Sequence, residues 1–300
     1  MKSAAELRQW EIPNTATFSD TPGGLVRLEI ETPLASAEIY LHGAHVAKFQ
    51  PVGQAPVLFL SKKSHFTPGK AIRGGVPIIF PWFGPKADQP EAPAHGFTRT
   101  ATWELESITQ APGGEVHVAM RFASNDATRA LWPHDFVLRL NIVVGTALEM
   151  TLEVENTSGG PFTYENALHT YLTVADVLEI GVTGLEGAEF IDKVDGGQRK
   201  RQKQTLVGID KETDRLYLNT TATCSVNDLS LSRRIIVEKS GSNSTVVWNP
   251  WQGKGMSLTD LAEEWPRMIC IETVNAADNA IKLAAGDRHS TRAIVRSEPY

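Results

Sequence analysis

The stretch Tyr164-Glu165-Asn166-Ala167-Leu168-His169-Thr170-Tyr171-Leu172 sets a single imidazole in the middle of an aromatic-rich strand. Histidine is the side chain best able to give or take a proton near neutral pH. Among Tyr164, Leu168 and Tyr171, His169 would project into a hollow and exchange protons with a partner on another strand. The alternative is a core histidine bonded to backbone. A partner carboxylate in an equally apolar strand favours exchange, and Met268–Asn275 supplies one, with Glu272 as its sole charge. Burial disfavours the ionised form and raises such a carboxyl toward the working range of a base. Against this stands a glutamate merely neutralised by an arginine such as Arg73.

Ala71–Gly84 is an apolar run holding Pro77 and Pro81. Each proline removes a ladder donor, so the run is not a central strand. Gly74-Gly75 permits close backbone approach, and Arg73 immediately before it needs an anion, either a carboxylate or a ligand phosphate. In His95-Gly96-Phe97-Thr98-Arg99, His95 and Arg99 sit four apart across a turn glycine. No His, Cys or carboxylate lies near them at ligand spacing, so no metal is expected there. His42 and His45 fail the same test and read as strand-end residues. Asp192, after Phe190-Ile191, is a third carboxylate candidate or simply a turn residue. Arg199, Lys200, Arg201 and Lys203 crowd into Gln198–Gln204, a solvated hairpin or a loop leaning toward an anionic ligand.

The elements that must position these groups are strands. Ser3-Ala4-Ala5-Glu6 is a capping box that opens a short helix over about residues 3–10. Beyond it the hydrophobic period is two: Val26/Leu28/Ile30, Val116/Val118/Met120/Phe122, Leu138/Leu140/Ile142/Val144 and Leu148/Met150/Leu152/Val154 alternate with polar neighbours. Pro22-Gly23-Gly24, Pro112-Gly113-Gly114, Gly159-Gly160, Asp195-Gly196-Gly197 and Ser240-Gly241-Ser242 punctuate the runs. Only Met256–Trp265 has apolar residues at roughly helical spacing. Many short strands joined by polar turns imply an all-β protein of antiparallel sheets packed face to face. With no long linker, low-complexity tract or repeat, residues 1–300 are expected to form a single large β-sandwich.

A chain of 300 residues, 41% hydrophobic and 8% aromatic, can fill such a core. Its net charge of −6 argues against nucleic acid or anionic membrane as a partner. No stretch approaches the roughly 20 apolar residues of a membrane helix. Lys2, Glu6, Arg8 and Glu11 interrupt the first twenty residues, so no secretory signal is read there. Cys224 and Cys270, far apart in strand-like segments, suit two reduced thiols in a cytoplasmic protein.

Taken together, Ala71–Gly84, His95–Arg99, Ala167–Leu172, Phe190–Lys193 and Ile269–Asn275 resemble the aldose 1-epimerase (galactose mutarotase-like) superfamily. Trp132-Pro133 with Phe136, and Val247–Trp251, resemble its hexose-6-phosphate mutarotase branch. The likeness runs in order from about Leu25 to Ile294, and Glu165 departs from it, standing where the family usually carries a small or polar residue. The resemblance implies a large antiparallel β-supersandwich and cofactor-free, metal-free interconversion of the α and β anomers of glucose 6-phosphate or related hexose 6-phosphates. It implies Glu272 as general base, His169 as general acid, His95 on sugar hydroxyls or the ring oxygen, Asp192 on ring hydroxyls, and Arg73 and Arg99 on phosphate. Trp82, Phe83 or Trp248 would stack beneath the sugar or belong to the core. A small phosphorylated hexose is then the partner of a monomer or weak dimer. The rival readings are an epimerase of free aldoses and a non-catalytic sugar-phosphate-binding regulator on the same fold.

Overall fold

The computed structural model describes residues 2–86 and 88–300. All the named strand pairings are antiparallel, and two eight-stranded sheets dominate. The first runs Ile180–Thr183, Cys224–Asp228, Arg233–Ser240, Arg288–Pro299, Leu148–Asn156, Phe136–Val144, Val116–Ala123, Glu104–Gln110. In its central strands buried and part-exposed residues alternate, so one face is apolar and the other wet. Leu138, Leu140 and Ile142 enter the core while Arg139 pairs with Glu153 and Glu155 outside.

The second sheet runs Gln198–Arg201, Glu189–Asp192, Thr213–Leu218, Ser244–Asn249, Met268–Asn275, then Asn166–Leu168 and Ile78–Ile79; Tyr171–Thr173 also pairs with Met268–Asn275. Its strand Met268–Asn275 is buried at every residue. Ile269 and Ile271 join the main core between the sheets, while Met268, Cys270 and Val274 join a separate cluster on the far face. Burial on both faces removes the polar alternation, and that is why Glu272 stands out in the sequence. The far face is where the candidate site lies. A four-stranded sheet over Ala16–Pro51 and a two-stranded ribbon complete the fold.

Three local expectations are refined. The proline-bearing run forms only a two-residue strand, Ile78–Ile79, at the sheet edge, as the missing donors demand. Met256–Trp265, whose spacing suits a short helix or an irregular turn, holds the end of an α-helix at Trp251–Ser257 and most of a 3-10 turn at Ala262–Arg267. Gly255 lets Trp265 fold back onto that helix, since a Cβ there would sit 2.8 Å from the tryptophan. The N-terminal helix is a single α turn, Ala4–Leu7, extended by a 3-10 turn to Trp10.

Candidate active site

The sheet register brings the imidazole and the carboxyl together. Leu168 pairs with Thr273 and Tyr171 pairs with Cys270. The two residues between them on one strand, His169 and Thr170, therefore lie opposite Ile271 and Glu272 without a shift. The ladder thins there to one bond, Ile271 N–H donating to Thr170 O, while Thr170 N–H turns back to Leu168 O and His169 N–H donates to Pro77 O on the other side. Across the sheet, Val246 pairs with Glu272, and the next row places Asp214, Trp248, Cys270 and Tyr171 side by side. Side chains two apart on a strand share a face, so these two rows build one wall.

That wall lines a cavity of about 280 Å³ together with Arg73, Phe83, His95, Arg99, Lys193 and Lys254. His169 Nε2 stands 3.3 Å from Glu272 Oε1. His169 Nδ1 and Glu272 Oε2 are buried without any protein partner. Unpartnered buried polar atoms are costly and uncommon, and they point to a ligand. Burial pushes Glu272 well above the usual carboxylate range and His169 well below the usual imidazole range, where His95, Arg99 and Arg73 add to the effect. Tyr171 stacks on the His169 ring at 4.8 Å and fixes its plane.

Arg73 is delivered by a segment that only glycine can build. A Cβ on Gly75 would lie 2.3 Å from Val46 O, and its φ of +59° is left-handed. From that close crossing Arg73 Nη1 donates to Tyr171 Oη at 3.0 Å, and Nη2 pairs with Asp260 Oδ2 at 3.1 Å. Both partners hold the guanidinium charged. Burial keeps the Tyr171 phenol neutral at pH 7, so Asp260 supplies the negative charge. Arg99 differs. Its side chain donates to Ala94 O, and among the described residues no carboxylate lies within 4.0 Å of it. Burial, unrelieved by an ion pair, lowers its pKa.

His95 sits in a left-handed conformation at φ 67°, uncommon outside glycine, and is held by a reciprocal pair of bonds. His95 N–H donates to Gly84 O, and Gly84 N–H donates to His95 Nδ1 at 3.2 Å. With Nδ1 accepting, the ring proton is on Nε2. Burial, aided by Arg99 and Lys193, lowers its pKa to about 3. His95 is thus a neutral hydrogen-bond donor beside the cavity.

Two expected ligand residues lie elsewhere. Asp192 pairs in register with Arg215 and so faces away from Asp214, the next residue in that strand; its carboxylate accepts from Lys200 at 2.8 Å. Asp214 lines the cavity instead, with its pKa raised by burial. Sequence reading passed over it because Thr213–Leu218 carries Asp214 beside Arg215, the pattern of an exposed strand. Trp82 is in the main core, donating to Pro93 O and packing edge-on against Phe97. Trp248 is the tryptophan on the cavity wall. Lys193 and Lys254 were likewise missed; Lys193 Nζ lies 4.4 Å over the Phe83 ring and 4.0 Å from Asp214, and Lys254 pairs with Glu212. In the basic hairpin Arg199 pairs with Glu189 and Asp278 and Lys200 with Asp192 and Asp195, while Arg201 donates to Gly187 O. Glu165 closes the rim by accepting from Phe83 N–H and Ala277 N–H.

His169, Cys270 and Glu272 also form a set of possible metal donors within 4.8 Å of one another. Burial raises the Cys270 thiol well above its ordinary range, which makes it a poor ligand as it stands.

Residues 26–296 match the model of the family described as Aldose 1-epimerase. The chain belongs to that family. Proteins named "Putative glucose-6-phosphate 1-epimerase" from Salmonella typhimurium and from Cenchrus ciliaris are similar to it. The first is 38% identical over 82% of this chain and 82% of its own length, the second 32% over 95% and 88%. The crystal structure of "a putative mutarotase" from Salmonella typhimurium superposes with a TM-score of 0.90 at 32% identity, covering 97% of this chain and 96% of that one. A galactose mutarotase-like protein from Clostridium acetobutylicum shares the fold at a TM-score of 0.74 and 14% identity, over 95% and 98% of the two chains.

Proposed function

We propose that this chain is an isomerase, a hexose-6-phosphate mutarotase interconverting the α and β anomers of glucose 6-phosphate through proton transfer by its own side chains. One observation carries the reading: an acid–base pair 3.3 Å apart shares its cavity with a half-buried guanidinium, Arg99, that has no carboxylate within 4.0 Å among the described residues. The relatives named for this reaction point the same way.

The chemistry needs one group to accept a proton while another donates one. Glu272 takes the proton of the C1 hydroxyl as His169 gives one to the ring oxygen. The C1–O5 bond breaks with its electron pair going to O5, and C1 becomes an aldehyde. Rotation about C1–C2 presents the other face, and closure returns both protons. The pKa directions are compatible with these roles. A neutral carboxyl beside a neutral imidazole holds as many protons as a carboxylate beside an imidazolium, so the active form is a tautomer of the resting pair. Each positioned transfer contributes roughly 10²–10⁴-fold.

Charge along the cavity orients the sugar. The charged groups acting on His169 are Arg99 and Arg73, whereas Lys193 and Asp214 act on Glu272. In a pyranose 6-phosphate the ring oxygen adjoins the carbon that bears the phosphorylated arm. Phosphate at the arginines therefore sets the ring oxygen toward His169 and C1 toward Glu272, with Asp214 near the next hydroxyl. His95 donates to the sugar and Trp248 offers it an apolar face. On this reading residues 1–300 act as one unit, monomeric or weakly dimeric, in the reduced cytoplasm that suits two buried free thiols.

The Arg73–Asp260 pair favours the rival reading, an epimerase of free aldoses, because it gives Arg73 an anion of its own. Freshly dissolved α-glucose 6-phosphate and α-glucose, each followed by NMR with the protein added, separate the readings. Acceleration confined to the phosphorylated sugar is expected. Equal acceleration of both means free aldoses are the substrates, and acceleration of neither means the chain only binds them.

A further inference from the structure

We propose that Asp260 sets the strength and selectivity of phosphate binding by acting as a built-in counter-ion to Arg73, an inference that rests on the phosphate reading above. Asp260 lies in the turn between the Trp251–Ser257 helix and the Ala262–Arg267 turn, and its carboxylate meets the guanidinium at 3.1 Å. It meets Arg73 without lining the cavity that Arg73 and Tyr171 line. The guanidinium is held on two sides, by Asp260 and by the Tyr171 hydroxyl, and its Nε is buried without a partner. Arg73 therefore presents hydrogen-bond donors to the cavity with its charge largely cancelled. Arg99 has no carboxylate within 4.0 Å among the described residues, and Asp260 acts on it only as a more distant charge, so its own charge is offset less.

The two arginines thus divide the work of holding a phosphate. Arg99 supplies attraction, and Arg73 supplies directed donors on a rigid mount. A reversible isomerase gains from that division, because its product carries the same phosphate as its substrate. Two uncompensated guanidiniums would bind both anomers tightly and slow their release. Asp260 repels the dianion it helps to position, which weakens binding of substrate and product together and leaves the reacting centre untouched.

Asp260→Asn tests this, because an amide oxygen still accepts from Arg73 while the charge is gone. The KM for glucose 6-phosphate should fall by about ten-fold, the scale of one lost like-charge contact at a partly buried site. kcat should not rise, and the KM for glucose should not follow. Inorganic phosphate, used as a competitor and in calorimetric titration, should bind the variant more tightly by a similar factor. Asp260→Ala loses the mount as well as the charge and should gain less. A KM for the phosphorylated sugar that rises equally in the Asn and Ala variants, with melting temperatures unchanged, would show that Asp260 only holds Arg73 in place and would overturn the proposal. If inorganic phosphate neither binds nor competes in the unaltered protein, the phosphate reading itself fails. If it competes there but binds Asp260→Asn no better, only the counter-ion role fails.

Discussion

Glu272→Gln should cost turnover and add stability at neutral pH, and the two effects share one cause. Glu272 is 1% exposed, and burial raises its pKa well above 4.5. A group whose folded pKa lies above its unfolded value contributes stability that is fully present below the unfolded pKa and lost as pH rises toward the folded one. At pH 7 the unfolded chain gains by ionising this carboxyl and the folded chain resists. Each pKa unit is worth 1.36 kcal/mol, so across the interval from 4.5 to 7 the cost is capped at about 3.4 kcal/mol however high the folded value lies. Glutamine has nearly the same shape and nothing to ionise. Its advantage should grow from nothing near pH 4.5 toward pH 7 without exceeding that cap, read as a rise in melting temperature relative to the parent. Thermal unfolding of both proteins at the two pH values reads the difference directly. Anomer exchange by NMR should meanwhile fall by about 10²–10⁴-fold, the worth of one positioned proton transfer. The reasoning is refuted if the variant keeps its rate within a few-fold, or if its stability relative to the parent is the same at both pH values.

Arg99→Gln removes the guanidinium without a carboxylate and should raise the KM for glucose 6-phosphate by roughly 10–100-fold, the value of a charge-assisted bond, with a far smaller effect on glucose. Steady-state kinetics on both sugars would dismiss it as a phosphate ligand if the two rose together. Asp214→Asn should raise KM by about ten-fold through a lost hydroxyl contact, while Asp192→Asn, altered on the opposite face, should leave kinetics unchanged; the reverse order would mean that the register argument places the wrong aspartate. Glu165→Gln weakens the acceptor that ties Phe83 N–H to Ala277 N–H and should cost about 1–3 kcal/mol in chemical denaturation. An unchanged midpoint would show that the rim holds itself together.

The sequence by itself determined the all-β class, because a period of two with polar turns has no helical solution. It also marked Glu272 and His169, since a lone ionisable group in a strand buried on both faces breaks an otherwise apolar pattern. Arg73 was legible for the same reason, beside a glycine pair whose backbone crossing leaves room for no side chain. The aspartate was not legible. Asp192 and Asp214 sit in similar strands, and only the pairing of Asp192 with Arg215 shows that the first points into the other face. Trp82 and Trp248 could not be told apart either, because both are large, apolar and near prolines, and which one meets the cavity depends on how distant segments pack. Above all, no linear pattern states that Leu168 pairs with Thr273 and Tyr171 with Cys270. Strand register is a contest among long-range pairings, decided by burial of whole faces at once. That contest alone set an imidazole 3.3 Å from a carboxyl a hundred residues away along the chain, and gave Arg73 a counter-ion while leaving Arg99 without one.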